Sequence, residues 1–297
     1  MRVLVTGSNG LLGQKLTSLL IRNPKVTLFL TGKGPCRIND FNLNYFPCDL
    51  TAEEEVQSLI EWSQPEYIIH AAAMTQVDDC ELNQKACWET NVSATLFLLE
   101  AAKKYDAFFQ YISTDFVFDG KEGPYKETDL PLPISHYGKS KLEAENLVRH
   151  FGVSWAIVRT VLVYGFTPHL SRSNIILWVK ENLEKQTPIK VVTDQYRTPT
   201  LAEDLAEGCS LILNEKASGL FHVSGDEMMT PFEMAQQVAD HFGLNQELIE
   251  PVTANTFTQP GKRPPKTGFD ISKAASTLGF HPKSFQQGIS LIAQQLK

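Results

Sequence analysis

Val3-Leu4-Val5-Thr6-Gly7-Ser8-Asn9-Gly10-Leu11-Leu12-Gly13 is the stretch that decides the fold of this 297-residue chain. A short apolar run reads as a strand over residues 3–6. It ends in glycines spaced Gly-x-x-Gly-x-x-Gly, and a helical pattern over 10–21 follows until Asn23-Pro24 stops it. Glycine permits a positive φ at the turn and lets backbone amides approach a pyrophosphate. The helix N-terminus adds free N–H groups and a partial positive charge suited to that anion. Gly7, Asn9, Gly10, Leu11, Leu12 and Gly13 are the expected cradle of a dinucleotide.

Outward from the loop, β-branched and aromatic runs alternate with helical patterns. Strands are expected over 26–30, 45–47, 67–71, 108–113 and 155–158, and helices over 51–62, 82–104 and 137–150. Thr51 and Glu54 read as a capping box for the second helix. The pattern predicts an α/β fold, a doubly wound parallel Rossmann sheet, with a smaller C-terminal α/β substrate lobe. Residues 1–165 are the expected NAD(P)-binding domain and 166–297 mainly the lobe, where prolines break the rhythm. Phe221-His222-Val223 is expected to return one strand near 220–224 to the main sheet.

Composition narrows the function classes. Lys and Arg number 27 against 34 Asp and Glu, a net charge of −7, which argues against a nucleic-acid or anionic-membrane partner held by bulk charge. No apolar run approaches the ~20 residues that span a bilayer. The first apolar run leads straight into the glycine turn, so no leader peptide is expected. Five cysteines (36, 48, 80, 87, 209) without a Cys-x-x-Cys pair predict reduced thiols, a cytoplasmic protein and no zinc site.

The glycine spacing resembles the short-chain dehydrogenase/reductase superfamily. An acid about 20 residues past the loop would bond the adenosine ribose and repel a 2′-phosphate. Here the second strand ends Leu28-Phe29-Leu30-Thr31-Gly32-Lys33 with no acid before Asp40. Lys33, with Arg37 near it, favours NADPH and leaves NADH open. The resemblance implies that Asp49 and Leu50 line the adenine. The small side chains of Ala71, Ala72 and Ala73 would let the cofactor lie on the sheet.

Tyr137-Gly138-Lys139-Ser140-Lys141 carries the chemistry. Spacing i, i+4 sets Tyr137 and Lys141 on one helix face, where an ammonium favours the phenolate of a general acid–base catalyst. The fifth strand ends Ser113-Thr114, and the Thr114 hydroxyl completes a Thr/Tyr/Lys triad able to bond a carbonyl. Arg197 and Arg263, in proline-rich segments, are candidate clamps for a substrate phosphate.

Ser113-Thr114-Asp115-Phe116-Val117-Phe118-Asp119-Gly120, Pro124-Tyr125, Glu127 and the Tyr137–Lys141 motif together resemble the dTDP-4-dehydrorhamnose reductase family of extended short-chain dehydrogenases/reductases. The similarity extends through Ala71-Ala72-Ala73-Met74-Thr75-Gln76-Val77-Asp78, Arg159-Thr160, Val163-Tyr164-Gly165, Asp194-Gln195, Pro199-Thr200 and Arg263-Pro264. It implies hydride transfer from a reduced nicotinamide to C4 of a 4-keto-6-deoxy sugar nucleotide. In that reading Tyr137 protonates the alkoxide, Thr114 orients the carbonyl, and Lys141 tunes Tyr137 and holds ribose. Thr75, Val77 and Asp115 would touch the substrate. A homodimer is open, since dimers are common among relatives.

Three departures stand out. Leu162 replaces the Trp that would pack on the substrate, Lys266 follows Arg-Pro in place of Asn, and Lys15 holds the position of a Glu that bridges a magnesium-linked dimer in some members. A cation at residue 15 repels a metal, so none is expected. Phe116 stands where a 4,6-dehydratase carries the Glu that eliminates water. An epimerase, and a non-catalytic regulatory subunit like that of methionine adenosyltransferase, are the competing readings.

Overall fold

The computed structural model describes residues 1–39, 42–169 and 173–297. In chain order the first half runs β1 (Arg2–Thr6), α1 (Leu11–Leu20), β2 (Thr27–Gly32), β3 (Asn44–Pro47), α2 (Glu53–Ser63), β4 (Tyr67–His70), α3 (Val77–Leu82) and α4 (Gln84–Trp88). A π-helical turn (Glu89–Ser93) leads into α5 (Ala94–Lys104), β5 (Phe108–Thr114), α6 (His136–His150) and β6 (Trp155–Thr160). The second half comprises β7 (Val163–Tyr164), α7 (Ile175–Glu184), β8 (Ile189–Val192), β9 (Thr200–Leu201), α8 (Ala202–Glu215) and β10 (Gly219–His222). It ends with α9 (Pro231–Phe242), β11 (Ile249–Val252), α10 (Ser272–Leu278) and α11 (Phe285–Gln295).

Seven parallel strands form the main sheet in the order β3-β2-β1-β4-β5-β6-β10. This is the doubly wound arrangement, with its order reversing between β1 and β4. Strand alternation feeds two cores. Val3, Val5, Leu28, Leu30, Ile69 and Val158 face α1 and α8, while Leu4, Phe29, Ile68 and Ile157 face α2, α5 and α6. A separate cluster joins Ile176, Val179, Val191, Met234, Val238, Ile249 and Ile289 around the small β8–β11 sheet.

Two local expectations are corrected. The second helix starts at Glu53, with Ala52 at its N-cap and no side-chain cap. The Asp49 carboxylate takes both the Thr51 hydroxyl (2.8 Å) and its N–H (3.2 Å), so Thr51 folds back onto β3's exit instead of capping α2. The segment expected as one helix over 82–104 is interrupted at Asn83 and again by the π turn. Asn91, within that turn, bonds Met74 N–H (2.8 Å), Met74 C=O (3.0 Å) and the Ser140 hydroxyl (2.9 Å), three partners that favour local widening of the helix. Asp40 lies outside the described residues. Among those described, no helix is long and apolar enough to cross a membrane.

Candidate active site

The glycine loop fills the crevice where β1 and β4 diverge. Gly7 has φ +67°, and a Cβ there would lie 2.8 Å from Ala72 N and Cα, so two independent constraints require glycine. A Cβ on Gly13 would overlap the Gly7 carbonyl oxygen and Ser8 Cα, so α1 seats directly on the loop. Gly10 differs: it is exposed, has φ −81°, and its nearest obstacle is Gly7 O at 3.2 Å. As N-cap it offers no side chain to the first turn of α1, which also carries no acid. The helix end therefore fits a dinucleotide pyrophosphate.

Ser8 N and Oγ both donate to Thr31 O at 3.0 Å, tying the loop to β2. Asn9 turns away from the cradle and organises the chain after β2. Its side chain accepts from Arg37 N (2.9 Å) and donates to Pro35 O (3.0 Å) and Tyr45 Oη (3.1 Å). Lys33 Nζ lies 2.6 Å from Asp49 Oδ2, with the lysine largely exposed. Bonds from Lys33, then Thr51, hold the Asp49 carboxyl below its usual range. Leu11 Cδ1 approaches Gly165, Leu12 packs on the first core, and Leu50 on the second. At the end of β4 buried His70 sits between Thr6 Oγ1 (2.7 Å) and Thr95 Oγ1 (3.1 Å). Burial and the Lys141 charge lower it to about 3, so the ring is neutral. Ala71, Ala72 and Ala73 follow, all partly exposed.

One close approach assembles the triad. A Cβ on Gly138 would collide with the Phe116 carbonyl oxygen, so the first turn of α6 packs against the 3-10 turn Asp115–Val117 that follows Thr114. Ser135 caps α6 by accepting from Gly138 N at 3.1 Å. Tyr137 is thereby buried beside Thr114. Burial pushes its phenol above the ordinary value, and the Thr114 hydrogen bond opposes that shift. Lys141 Nζ donates to Ile112 O at 2.7 Å and sits 4.1 Å from the Tyr111 ring centroid. Burial draws Lys141 down to about 7 while Glu145 resists. The expected lowering of the Tyr137 phenol is therefore corrected: burial dominates, and Lys141 addresses the β5 backbone.

Sequence reading missed the scaffold under this cluster. Glu145 is fully buried and takes two bonds from Arg159 (2.8 and 2.7 Å) and one from Ser113 Oγ (2.6 Å). It fixes the end of β5 to α6 and β6. The signal was available, since Glu145 stands four and eight residues past Lys141 and Tyr137 on a face that must be inside.

The residues expected at the substrate end meet protein partners. Arg197 is buried, donates to Tyr196 O (2.7 Å), Pro264 O (2.7 Å) and Pro265 O (3.2 Å), and lies 3.7 Å from Asp115 Oδ2. Arg263 forms a two-pronged pair with Asp78 (3.0 and 2.7 Å) that holds the Asp78 carboxyl below its usual range. Both arginines are thus engaged by protein groups in the ligand-free site and tie residues 260–267, a strap along its edge, to the rest of the fold, so a substrate phosphate would compete with these bonds. Asp115 is also interior, bonded by Thr114 and Thr267. Burial pushes its carboxyl up, with Arg197 the main opposing influence. Val77 is covered by Gly261, whereas Thr75 is exposed. Leu162 is 39% exposed with φ +36°, a left-handed backbone costly for leucine. Lys15 Nζ reaches Glu203 Oε1 (2.7 Å) and Gln295 Oε1 (3.2 Å), so an ammonium already faces that carboxylate.

A parallel sheet in this order, a glycine loop at its switch point and a buried Thr–Tyr–Lys cluster beside it define the short-chain dehydrogenase/reductase class. Within that class the chain belongs to the RmlD substrate binding domain family, whose model matches residues 1–297. It is 30% identical to a dTDP-4-dehydrorhamnose reductase of Aggregatibacter actinomycetemcomitans over 98% of both chains. It is 32% identical to methionine adenosyltransferase 2 subunit beta of Mus musculus, over 97% of this chain and 86% of that one. The solved dTDP-4-dehydrorhamnose reductase of Bacillus anthracis in complex with NADP superposes with a TM-score of 0.84 at 26% identity, covering 99% of each chain.

Proposed function

We propose that the protein is an NAD(P)H-dependent reductase of a 4-keto-6-deoxy sugar nucleotide, with dTDP-4-dehydrorhamnose as substrate, dTDP-L-rhamnose as product and NADPH as the preferred cofactor. The observation that carries this reading is the Thr114–Tyr137–Lys141 cluster at the carboxyl end of β5, one strand from the glycine loop's crevice. The first turn of α1 and the loop would hold the pyrophosphate, Lys33 a 2′-phosphate, and Ala71 to Ala73 the flat face of the cofactor. When bound, the reduced nicotinamide supplies the hydride. Tyr137 supplies the proton that the C4 oxygen needs, and its raised phenol suits a group held protonated until the alkoxide forms. Lys141, one helical turn from Tyr137 on the same face of α6, would hold the nicotinamide ribose. Burial of Tyr137 and Lys141 excludes water that would compete for the Tyr137 proton.

The test is oxidation of NADPH or NADH by purified protein with dTDP-4-keto-6-deoxy-L-mannose, followed at the nicotinamide absorbance. Sugar-dependent oxidation is expected. The identity to methionine adenosyltransferase 2 subunit beta supports a second reading, a regulatory subunit that binds NADP. Cofactor binding with no turnover of any 4-keto nucleotide sugar, and altered kinetics of a methionine adenosyltransferase on mixing, would favour it.

A further inference from the structure

His70 ends β4 directly opposite Thr6, the last residue of β1, and its ring is buried between two hydroxyls. Proton counting fixes how the ring is held, because a threonine hydroxyl donates once. Thr95 donates to Asn91 O, one helical turn back, at 2.8 Å, so its oxygen accepts from His70 Nε2 at 3.1 Å. Thr6 Oγ1 accepts from Ala72 N at 3.3 Å and lies 2.7 Å from His70 Nδ1, which takes the Thr6 proton. The donors therefore run one way, from Ala72 N–H through Thr6, His70 and Thr95 to the Asn91 carbonyl in the π turn. Asn91 also closes the circuit from its other end, since its side chain accepts from Met74 N (2.8 Å) and donates to Met74 O (3.0 Å). Residues 71–74 are thus held at Ala72 and at Met74, and the His70 ring spans the two holders. Ala72 has little room to shift: its N and Cα stand 2.8 Å from where a Cβ of Gly7 would lie.

We propose that His70, locked as its Nε2–H tautomer, is a positioning residue for the dinucleotide: its ring sets the spacing between the end of β1 and the π turn before α5, and with it the pose of Ala71 to Ala73 beside the glycine loop. This rests on the dinucleotide part of the reductase reading and not on the identity of the sugar. Without the imidazole, Thr6 and Thr95 keep their backbone partners, but no hydrogen bond through residue 70 joins them. The cofactor floor and the π turn then lose their common reference, and the dinucleotide must order them when it binds. A phenyl ring at position 70 fills similar space and makes neither bond, which separates positioning from bulk.

Fluorescence titration with NADPH tests this on wild-type protein, His70→Phe, Thr95→Val, Thr95→Ser and the His70→Phe/Thr95→Val double variant. His70→Phe is expected to weaken NADPH binding about 10-fold while KM for the sugar nucleotide changes less than about 3-fold. Thr95→Val should lose a similar factor. Thr95→Ser keeps the hydroxyl and should stay within about 2-fold of wild type, a rescue that packing alone does not predict because serine leaves the larger gap. The double variant should bind no more weakly than His70→Phe within about 2-fold, as expected of residues acting as one unit. Wild-type affinity in folded His70→Phe, losses that multiply in the double variant, or a Thr95→Ser as weak as Thr95→Val would overturn the proposal. A second readout needs only the wild-type fold. A long-range proton–nitrogen correlation spectrum, assigned by the signals missing in His70→Phe, should show His70 protonated at Nε2 and bare at Nδ1, and a proton on Nδ1 refutes the lock. Wild-type protein that binds NADPH but turns over no sugar defeats the reductase reading alone, and the titrations and the tautomer still decide the role of His70.

Discussion

The glycine loop and the strap solve the same task, holding backbone and side chains at the carboxyl edge of one sheet, by different means. The loop places its groups through neighbours: Gly7, Gly10 and Gly13 lie within seven residues, and their main external supports are Thr31 on β2 and Ala72 just past β4. The strap gathers partners from far along the chain, Arg263 with Asp78 at 185 residues' separation and Thr267 with Asp115 at 152. A loop fixed by sterics tolerates almost no substitution at Gly7 and Gly13 but needs little from the rest of the fold. A site fixed by long-range polar contacts depends on the whole fold having closed.

The comparison breaks first at chemistry. Tyr137→Phe removes the proton donor and is expected to cost ~10²–10⁴ in kcat with cofactor affinity unchanged, read by steady-state kinetics and nicotinamide fluorescence titration. Next comes the loop. Gly13→Ala forces a Cβ into the loop backbone and should destabilise by about 1–3 kcal/mol in urea unfolding. Gly10→Ala places its Cβ 3.2 Å from Gly7 O, a tight contact that a small shift relieves, so it should cost less than Gly13→Ala, within about 1 kcal/mol, while weakening nicotinamide binding, which separates the glycine that folds the loop from the one that serves the ligand.

Acid should act beneath the loop. The folded-state value of His70 is depressed from 6.5 to about 3, so between those values the unfolded chain binds more protons and stability falls as pH drops. Above pH 6.5 this residue contributes no pH dependence. His70→Gln should flatten the slope by up to about 1.4 kcal/mol per pH unit, measured by urea unfolding from pH 7 to 4. Buried His222, also held near 3, keeps part of the acid sensitivity in that variant. The smallest effect belongs to Lys33. Its ion pair with Asp49 is exposed and weak, so the lysine is free to turn toward a phosphate. Lys33→Ala should raise the KM for NADPH by about 3–10-fold and leave that for NADH unchanged.

The sequence by itself determined the alternating strands and helices, the glycine loop, and the shared face of Tyr137 and Lys141. Each rests on a short-range rule: a two-residue strand period, a helical turn, or the steric freedom of glycine. Other facts were outside its reach. That Asp49 would capture Thr51 and leave α2 uncapped depended on β3 ending beside it. That Arg197 and Arg263 would be engaged by protein groups in the ligand-free site depended on which carbonyls and carboxylates the folded strap set before them. Tyr137 is raised, and Lys141 bonds Ile112, because burial and backbone proximity outweigh the charge pairing that spacing alone suggests. Desolvation and polar partnership are properties of a closed three-dimensional neighbourhood, and only the tertiary structure decides who the neighbours are.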